Sequence, residues 1–215
     1  MDDKTLSIIL SMSIAIPSLL ALGRISNIHK KYYPFVICLI MGLITELMIA
    51  VFFQHSSTAV VYNIYVLLEF PLYCWLFYNW SPGRNNRLVS FLLAGVAIVE
   101  WIVENIHFGY IYGISSFYRI FYSFVLVLLA IHRINWLLVN EKKLVLYNAS
   151  FLICSGIIIF YSYKILIEVF YLYAPPEAGK QIFKINPYLN TFLNITYALA
   201  VLCIPRRIYS VKPQS

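Results

Sequence analysis

Long apolar stretches alternate with short polar connections along the whole chain. A membrane-spanning helix needs about 17 to 25 mainly apolar residues, and each of these stretches reaches that length. We therefore predict an all-α fold in which residues 1–215 form a single transmembrane helical domain. The pattern predicts seven membrane-spanning helices, at Thr5 to Leu22, Phe35 to Phe53, Ala59 to Tyr78, Leu88 to Ile106, Tyr112 to Ile131, Phe151 to Tyr171 and Tyr188 to Ile204.

The composition favours a polytopic integral membrane protein over a soluble one. Of the 215 residues, 61% are hydrophobic and 12% are charged, and the mean hydropathy is +0.78. A soluble domain has about 45 to 50% apolar and about 25% charged residues. The formal net charge of +7 does not indicate nucleic-acid binding, because basic residues of membrane proteins mainly set orientation.

Lysine and arginine are distributed unevenly between the alternate connections. The N-terminus and one set of connections contain Lys4, Lys180 and Lys184. Because cytoplasmic segments are enriched in basic residues, we predict an outside N-terminus and a cytoplasmic C-terminus, in a plasma membrane or a bacterial inner membrane. The opposite set and the tail contain Arg24, Lys30, Lys31, Arg84, Arg87, Arg133, Lys142, Lys143, Arg206, Arg207 and Lys212.

The first apolar stretch lacks the marks of a cleaved secretory signal. The chain begins Met1-Asp2-Asp3-Lys4, without a basic start, and no small-residue cleavage site follows. We expect this stretch to remain as the first membrane helix, kinked at Pro17.

Two short matches suggest an internal repeat. Phe35 to Cys38 reads FVIC and Phe151 to Cys154 reads FLIC, while Asn63 to Tyr65 and Asn190 to Phe192 lie near the outer ends of the third and seventh predicted helices. These matches pair the first three helices with the last three and leave the fourth as a connector. This 3+1+3 arrangement resembles that of the SWEET sugar transporters and the PnuC vitamin transporters, which implies solute transport. It transfers no binding residue, since the proline tetrad of the sugar transporters has no match here.

Polar residues within the predicted helices lie at one depth. Helical rise places them in the middle or the outer half of the bilayer, whereas the cytoplasmic halves are almost entirely apolar. We therefore predict a polar cavity facing outward above an apolar cytoplasmic seal. The candidate ligand-binding residues are Glu46, Asn63, Glu69, Glu100, Arg119, Lys164, Glu168, Asn190 and Asn194.

Carboxylates outnumber cations among these intramembrane residues, so the predicted cavity is acidic, with a net charge near minus three if all groups are ionised. The cations are Arg119 and Lys164. Lys164 can pair with Glu168 four residues later, and we expect Arg119 to pair with Glu100 or Glu69. The carboxylates are Glu46, Glu69, Glu100, Glu104 and Glu168.

Structural roles compete with functional ones at most of these positions. The Lys164 and Glu168 pair is favoured as a structural ion pair, and Glu104 as a solvated residue near the interface. The asparagines can join helices, and tyrosines near helix ends suit the bilayer interface. Glu46 and Glu69 are deepest and have no cation within one turn of their own helices, so a functional role is favoured for them.

The remaining motifs indicate no metal site and no cofactor. The cysteines lie singly in apolar stretches, and the histidines lie singly near helix ends. No G-x-S-x-G or H-E-x-x-H motif and no phosphate-binding glycine loop is present. The seventh predicted helix contains no lysine for a retinal Schiff base.

Three functions fit this pattern. The first is a small-solute transporter or binding protein in which Glu46, Glu69 and Glu100 attract a small polar, cationic or polyhydroxyl ligand. The second is a non-catalytic receptor or accessory subunit that senses an outer ligand or binds a membrane protein partner through basic cytoplasmic loops. Self-association into a homo-oligomer is a further alternative. The third, a membrane enzyme acting on a lipid head group, is the least favoured. In each case the lipid bilayer is the surrounding partner.

Overall fold

The computed structural model describes residues 3–52, 58–81, 84–113, 115–140, 145–173 and 185–206. About 90% helix and no β-strand occur in this part of the chain, so the all-α prediction is confirmed. The α-helices are α1 (Asp3–Ser11), α2 (Ala15–Gly23), α3 (Tyr33–Phe52), α4 (Ala59–Trp80), α5 (Arg84–Ile102), α6 (Ser116–Asn140), α7 (Ala149–Tyr173) and α8 (Asn186–Cys203).

Five helical segments are long and apolar enough to cross a bilayer, as expected of a membrane-embedded protein. The first apolar helix, Ile8–Gly23, is shorter, and the 18-residue α8 contains Asn186, Asn190 and Asn194. The count of seven spans, the orientation and the identity of the membrane therefore stay predictions. The five segments are Lys30–Val51, Ala59–Trp80, Leu88–His107, Ser116–Asn140 and Ala149–Tyr173.

The first segment is interrupted just before Pro17. A 3₁₀ turn, Met12–Ile14, separates α1 from α2, and Pro17 lies in the first turn of α2. Proline has no backbone N–H to donate to the carbonyl four residues earlier, so it disfavours a continuous helix at this point. The irregularity lies on the N-terminal side of the proline, where that hydrogen bond would have been accepted.

Helix α6 extends well beyond the predicted end at Ile131. Arg133 lies within the helix, and its Nη1 donates to the carbonyl of Trp80 at 3.0 Å. Its guanidinium carbon lies 4.5 Å from the centre of the Trp136 ring. The basic side chain is thus held against α4 and an aromatic face, so its charge does not require the helix to end.

Six helical segments form a closed ring. Each segment packs against the next in the order α1–α2, α3, α4, α6, α7 and α8. Helix α8 then packs against α1 and α2, which closes the ring. Helix α5 packs mainly on α4 and lies outside this ring. Helix α5 corresponds to the fourth predicted membrane-spanning helix. A 3+1+3 arrangement would require that helix to lie outside the two groups of three, although the repeat itself stays a prediction.

One end of the ring, here called the sealed end, is filled by apolar and aromatic side chains. Arg24, the residue after α2, donates to the carbonyl of Val201 at 2.6 Å and of Ile204 at 3.5 Å, and Ile28 forms a β-bridge with Arg206. These bonds join the first segment to the last. The buried side chains here include Phe35, Leu76, Phe77, Leu126, Ile153, Ile157, Val201 and Ile204.

Candidate functional site

A cavity of about 480 Å³ lies within the ring, between the sealed end and the opposite helix ends. Segments α1, α3, α4, α6, α7 and α8 all contribute to its lining, whereas no described residue of α5 does. Tyr73 and Tyr197 form its floor, and their hydroxyl groups are hydrogen-bonded at 2.8 Å. Its charged and amide side chains are Glu46, Glu69, Arg119, Lys164, Asn186 and Asn190.

Glu69 is the most deeply buried carboxylate of the lining, with 7% of its surface exposed. The hydroxyl of Tyr65, one turn earlier on α4, donates to its Oε1 at 2.8 Å. Its other oxygen has no hydrogen-bond partner within the described chain, so Glu69 retains an acceptor for a group in the cavity.

Lys164 on α7 reaches the same cavity. Its ammonium donates to the hydroxyl of Tyr122 and lies 5.0 Å from the centre of that ring. The centres of the Phe160 and Tyr161 rings are 5.8 Å and 5.4 Å away. Aromatic faces attract a cation but do not neutralise its charge.

The ion pairs differ from those predicted. In the described part of the chain, Glu168 pairs with Arg119 at 3.4 Å and not with Lys164. Arg119 Nη2 also donates to Asn63 Oδ1 at 3.2 Å, and Ser116 donates to the second Glu168 oxygen at 2.8 Å. The expected pairing of Arg119 with Glu100 or Glu69 is therefore wrong. Helices α6 and α7 pack against each other, and this packing places Arg119 beside Glu168.

Asn63 is fully buried and does not line the cavity. Its Nδ2 lies within hydrogen-bonding distance of the carbonyls of Tyr110, Ile111 and Gly113, at 3.4, 3.1 and 3.0 Å. The backbone carbonyl of Asn63 accepts a hydrogen bond from the indole N–H of Trp101 at 2.9 Å. Asn63 thus holds the connection between α5 and α6 against α4.

Glu104 is also structural, and the expectation that it is solvated is wrong. Only 6% of it is exposed, and it accepts backbone N–H bonds from Phe117 at 3.1 Å and Tyr118 at 2.6 Å. A π-helical turn, Val103–His107, precedes a loop with Gly109 at φ 74°. This path brings the carboxylate to the first turn of α6, whose N–H groups have no partner within the helix.

Two further candidates lie away from the cavity lining. Glu100 is half-buried on α5, and its Oε2 is enclosed without a hydrogen-bond partner in the described residues. Asn194 donates to the hydroxyl of Ser13 at 2.8 Å and so joins α8 to the first segment. The side chain of Asn190, one turn earlier on α8, faces the cavity and has no hydrogen-bond partner within the described chain.

The lining charges are balanced among the described residues. Glu46 and Glu69 face Arg119 and Lys164 across one cavity. The predicted excess of carboxylates came from Glu100, Glu104 and Glu168, which lie outside this lining.

The sequence interpretation assigned the tyrosines to the bilayer interface and so missed their place in the cavity. Tyr62, Tyr65, Glu69 and Tyr73 all line it from α4, and Tyr62 donates to Glu46 at 3.5 Å. Their spacing of three or four residues puts them on one helical face. That spacing was the signal available in the sequence.

No protein-family model, curated protein or solved structure matches the chain. The resemblance to 3+1+3 transporters therefore stays a prediction about architecture.

Proposed function

We propose that the protein binds a small polar solute in this cavity and transports it across the membrane. The observation that carries the proposal is the cavity of about 480 Å³ in which Glu69 and Lys164 are both directed to one space. Small-molecule sites are typically about 300 to 1,000 Å³, mostly apolar, with a few polar groups that orient the ligand. The tyrosine and aliphatic lining around four charged side chains fits that description.

The distribution of buried charge supports a solute path that is closed at one end. The buried charged residues of the described chain are Glu69, Glu104 and Glu168, and all three lie on the cavity side of Tyr73. Below the floor, buried apolar side chains from α3, α4, α6, α7 and α8 fill the ring. Transport would require this seal to open, with breakage of the bond between Tyr73 and Tyr197.

The same seal favours a second candidate, a receptor that binds a solute without moving it. No polar side chain of the described lining continues past the two tyrosines toward the sealed end. Partner binding through the basic loops stays a prediction: Lys30 and Lys31 are exposed, and Lys142, Lys143, Arg207 and Lys212 lie outside the described residues. Arg24 and Arg133 are engaged with carbonyls of this chain.

Binding is tested by thermal unfolding of the purified protein with small cations, amino acids, sugars, nucleosides, vitamins and lipids. A ligand at about 100 times its dissociation constant stabilises the folded state by about 2.7 kcal/mol. We expect a stabilising ligand whose effect is reduced in Glu69→Gln and retained in Glu100→Gln. Stabilisation that is equal in both variants would place the ligand elsewhere.

Transport is tested with the stabilising ligand, radiolabelled, in proteoliposomes. We expect uptake above that of empty liposomes, with slower uptake in Glu69→Gln. Binding without uptake would favour the receptor, and the absence of any stabilising ligand would contradict both functions.

A further inference from the structure

Two side chains of opposite charge face the cavity without forming an ion pair with each other. Glu69 on α4 and Lys164 on α7 both contribute to its lining. Within the described chain, however, Arg119 and Glu168 form the ion pair at salt-bridge distance, and neither Glu69 nor Lys164 takes part in one.

The nearest partners of both groups are phenols and aromatic faces. Glu69 accepts from Tyr65, and Lys164 donates to Tyr122. A neutral hydroxyl satisfies one hydrogen bond, but it does not compensate the charge of an ion held away from water. Each group therefore has capacity for an oppositely charged partner.

Arg119 is less available than Lys164 to bind an anionic group of a ligand. It contributes to the lining, yet its guanidinium is already bonded to Glu168 and to Asn63. The available cation is therefore the Lys164 ammonium, and the deepest available carboxylate is Glu69.

We propose that the ligand is a small zwitterion whose ammonium binds Glu69 and whose carboxylate binds Lys164. This inference rests on the proposed function and specifies its substrate class. A simple cation would leave Lys164 without a counter-charge, and a simple anion would leave Glu69 without one. The tyrosine side chains of α4 and α8 then contact the apolar part of the ligand.

The test compares amino acids with analogues that lack one charge. The probes are glycine, L-leucine and L-phenylalanine, each beside its amine (methylamine, isopentylamine, phenethylamine) and its acid (acetate, 4-methylpentanoate, 3-phenylpropionate). Binding to the purified full-length protein is measured by calorimetry. We expect at least one amino acid to bind roughly tenfold or more tightly than both of its analogues, because each analogue leaves either Glu69 or Lys164 unpaired.

Variants assign each charge to its partner. In Glu69→Gln, we expect the amino acid and its acid analogue to bind equally, since the ammonium has lost its partner. In Lys164→Gln, the amino acid and its amine analogue should bind equally. Glu100→Gln, on α5 and outside the lining, should keep the wild-type preference for the amino acid.

The outcomes separate this inference from the proposed function. If an amine, an acid or an uncharged solute such as a sugar binds, and no amino acid binds more tightly than both of its analogues, the zwitterion is excluded while solute binding stands. Equal loss of all probes in both variants, with wild-type folding retained, would also exclude the assigned pairing. If no probe of any class binds the wild-type protein, both proposals fail.

Discussion

At the scale of single residues, the same amide has different roles in two helices. The side chain of Asn63 is fully buried and bonds to three loop carbonyls and Arg119, whereas that of Asn190 faces the cavity with no hydrogen-bond partner within the described chain. Both occupy the outer half of a predicted span, so depth alone does not distinguish them. The difference lies in what surrounds each side chain. The connection between α5 and α6 packs against Asn63, whereas Asn190 faces the cavity.

We therefore expect Asn63→Ala to destabilise the fold by roughly 3 kcal/mol, because it leaves the part-buried loop carbonyls and Arg119 without their partner. Asn190→Ala is the matched control and should change the free energy of unfolding by less than about 0.5 kcal/mol. Thermal or denaturant unfolding in detergent measures both. Equal stability of the two variants would contradict the structural role of Asn63.

At the scale of elements, helix α4 combines the cavity face with the packing face. Tyr62, Tyr65, Glu69 and Tyr73 line the cavity, while Phe70 and Leu76 are fully buried between helices. Pro71 lies within this helix, two residues after Glu69. Proline removes one backbone hydrogen bond, so the turn before Pro71 is the weakest in the helix.

Helices α7 and α8 approach closely at a glycine. A Cβ added at Gly156 would lie 3.0 Å from Leu193 Cδ1 and 3.2 Å from Tyr197 Cε1. Small residues permit such close approach between membrane helices. Because Tyr197 also forms the cavity floor, this contact sets the position of the floor as well as the helix spacing.

Gly156→Ala should destabilise the protein by about 1 to 3 kcal/mol through overpacking. Gly95 on α5 has no atom within 4 Å of an added Cβ, so Gly95→Ala is the control. It should be neutral or stabilise by about 0.5 to 1 kcal/mol, because alanine has lower conformational entropy in the unfolded chain. Unfolding curves of the two variants provide the comparison, and destabilisation by Gly95→Ala alone would contradict the packing described here.

At the scale of the whole molecule, six helical segments enclose the cavity and α5 packs outside them. The sealed end carries Arg24 and Arg133, and the candidate ligand-binding side chains lie on the other side of the tyrosine floor. If the predicted orientation holds, the cavity faces outward and the seal faces the cytoplasm.

Orientation is tested by cysteine labelling in a background with Cys38, Cys74, Cys154 and Cys203 replaced by alanine. Lys180→Cys should react with a membrane-impermeant maleimide added to intact cells, because residue 180 is predicted to be outside. Lys142→Cys should react only after the membrane is permeabilised. The opposite pattern would reverse the orientation and turn the cavity toward the cytoplasm.

The sequence by itself determined the helical fold and which helical segment carries each polar residue. Long apolar stretches satisfy their backbone hydrogen bonds in a bilayer as helices, and the helical rise then sets how far along its helix Glu69 or Lys164 lies. These properties depend on local composition, so they needed no knowledge of the helix partners.

Only the tertiary structure decided which polar groups meet. Exposed side chains such as Phe91 and buried ones such as Phe70 are equally apolar, so the sequence pattern does not specify how each helix is rotated. Rotation and packing brought Arg119 to Glu168, removed Glu100 from the cavity and placed Glu69 opposite Lys164. The pairing of charges across the ring is therefore a property of helix packing, which no single segment encodes.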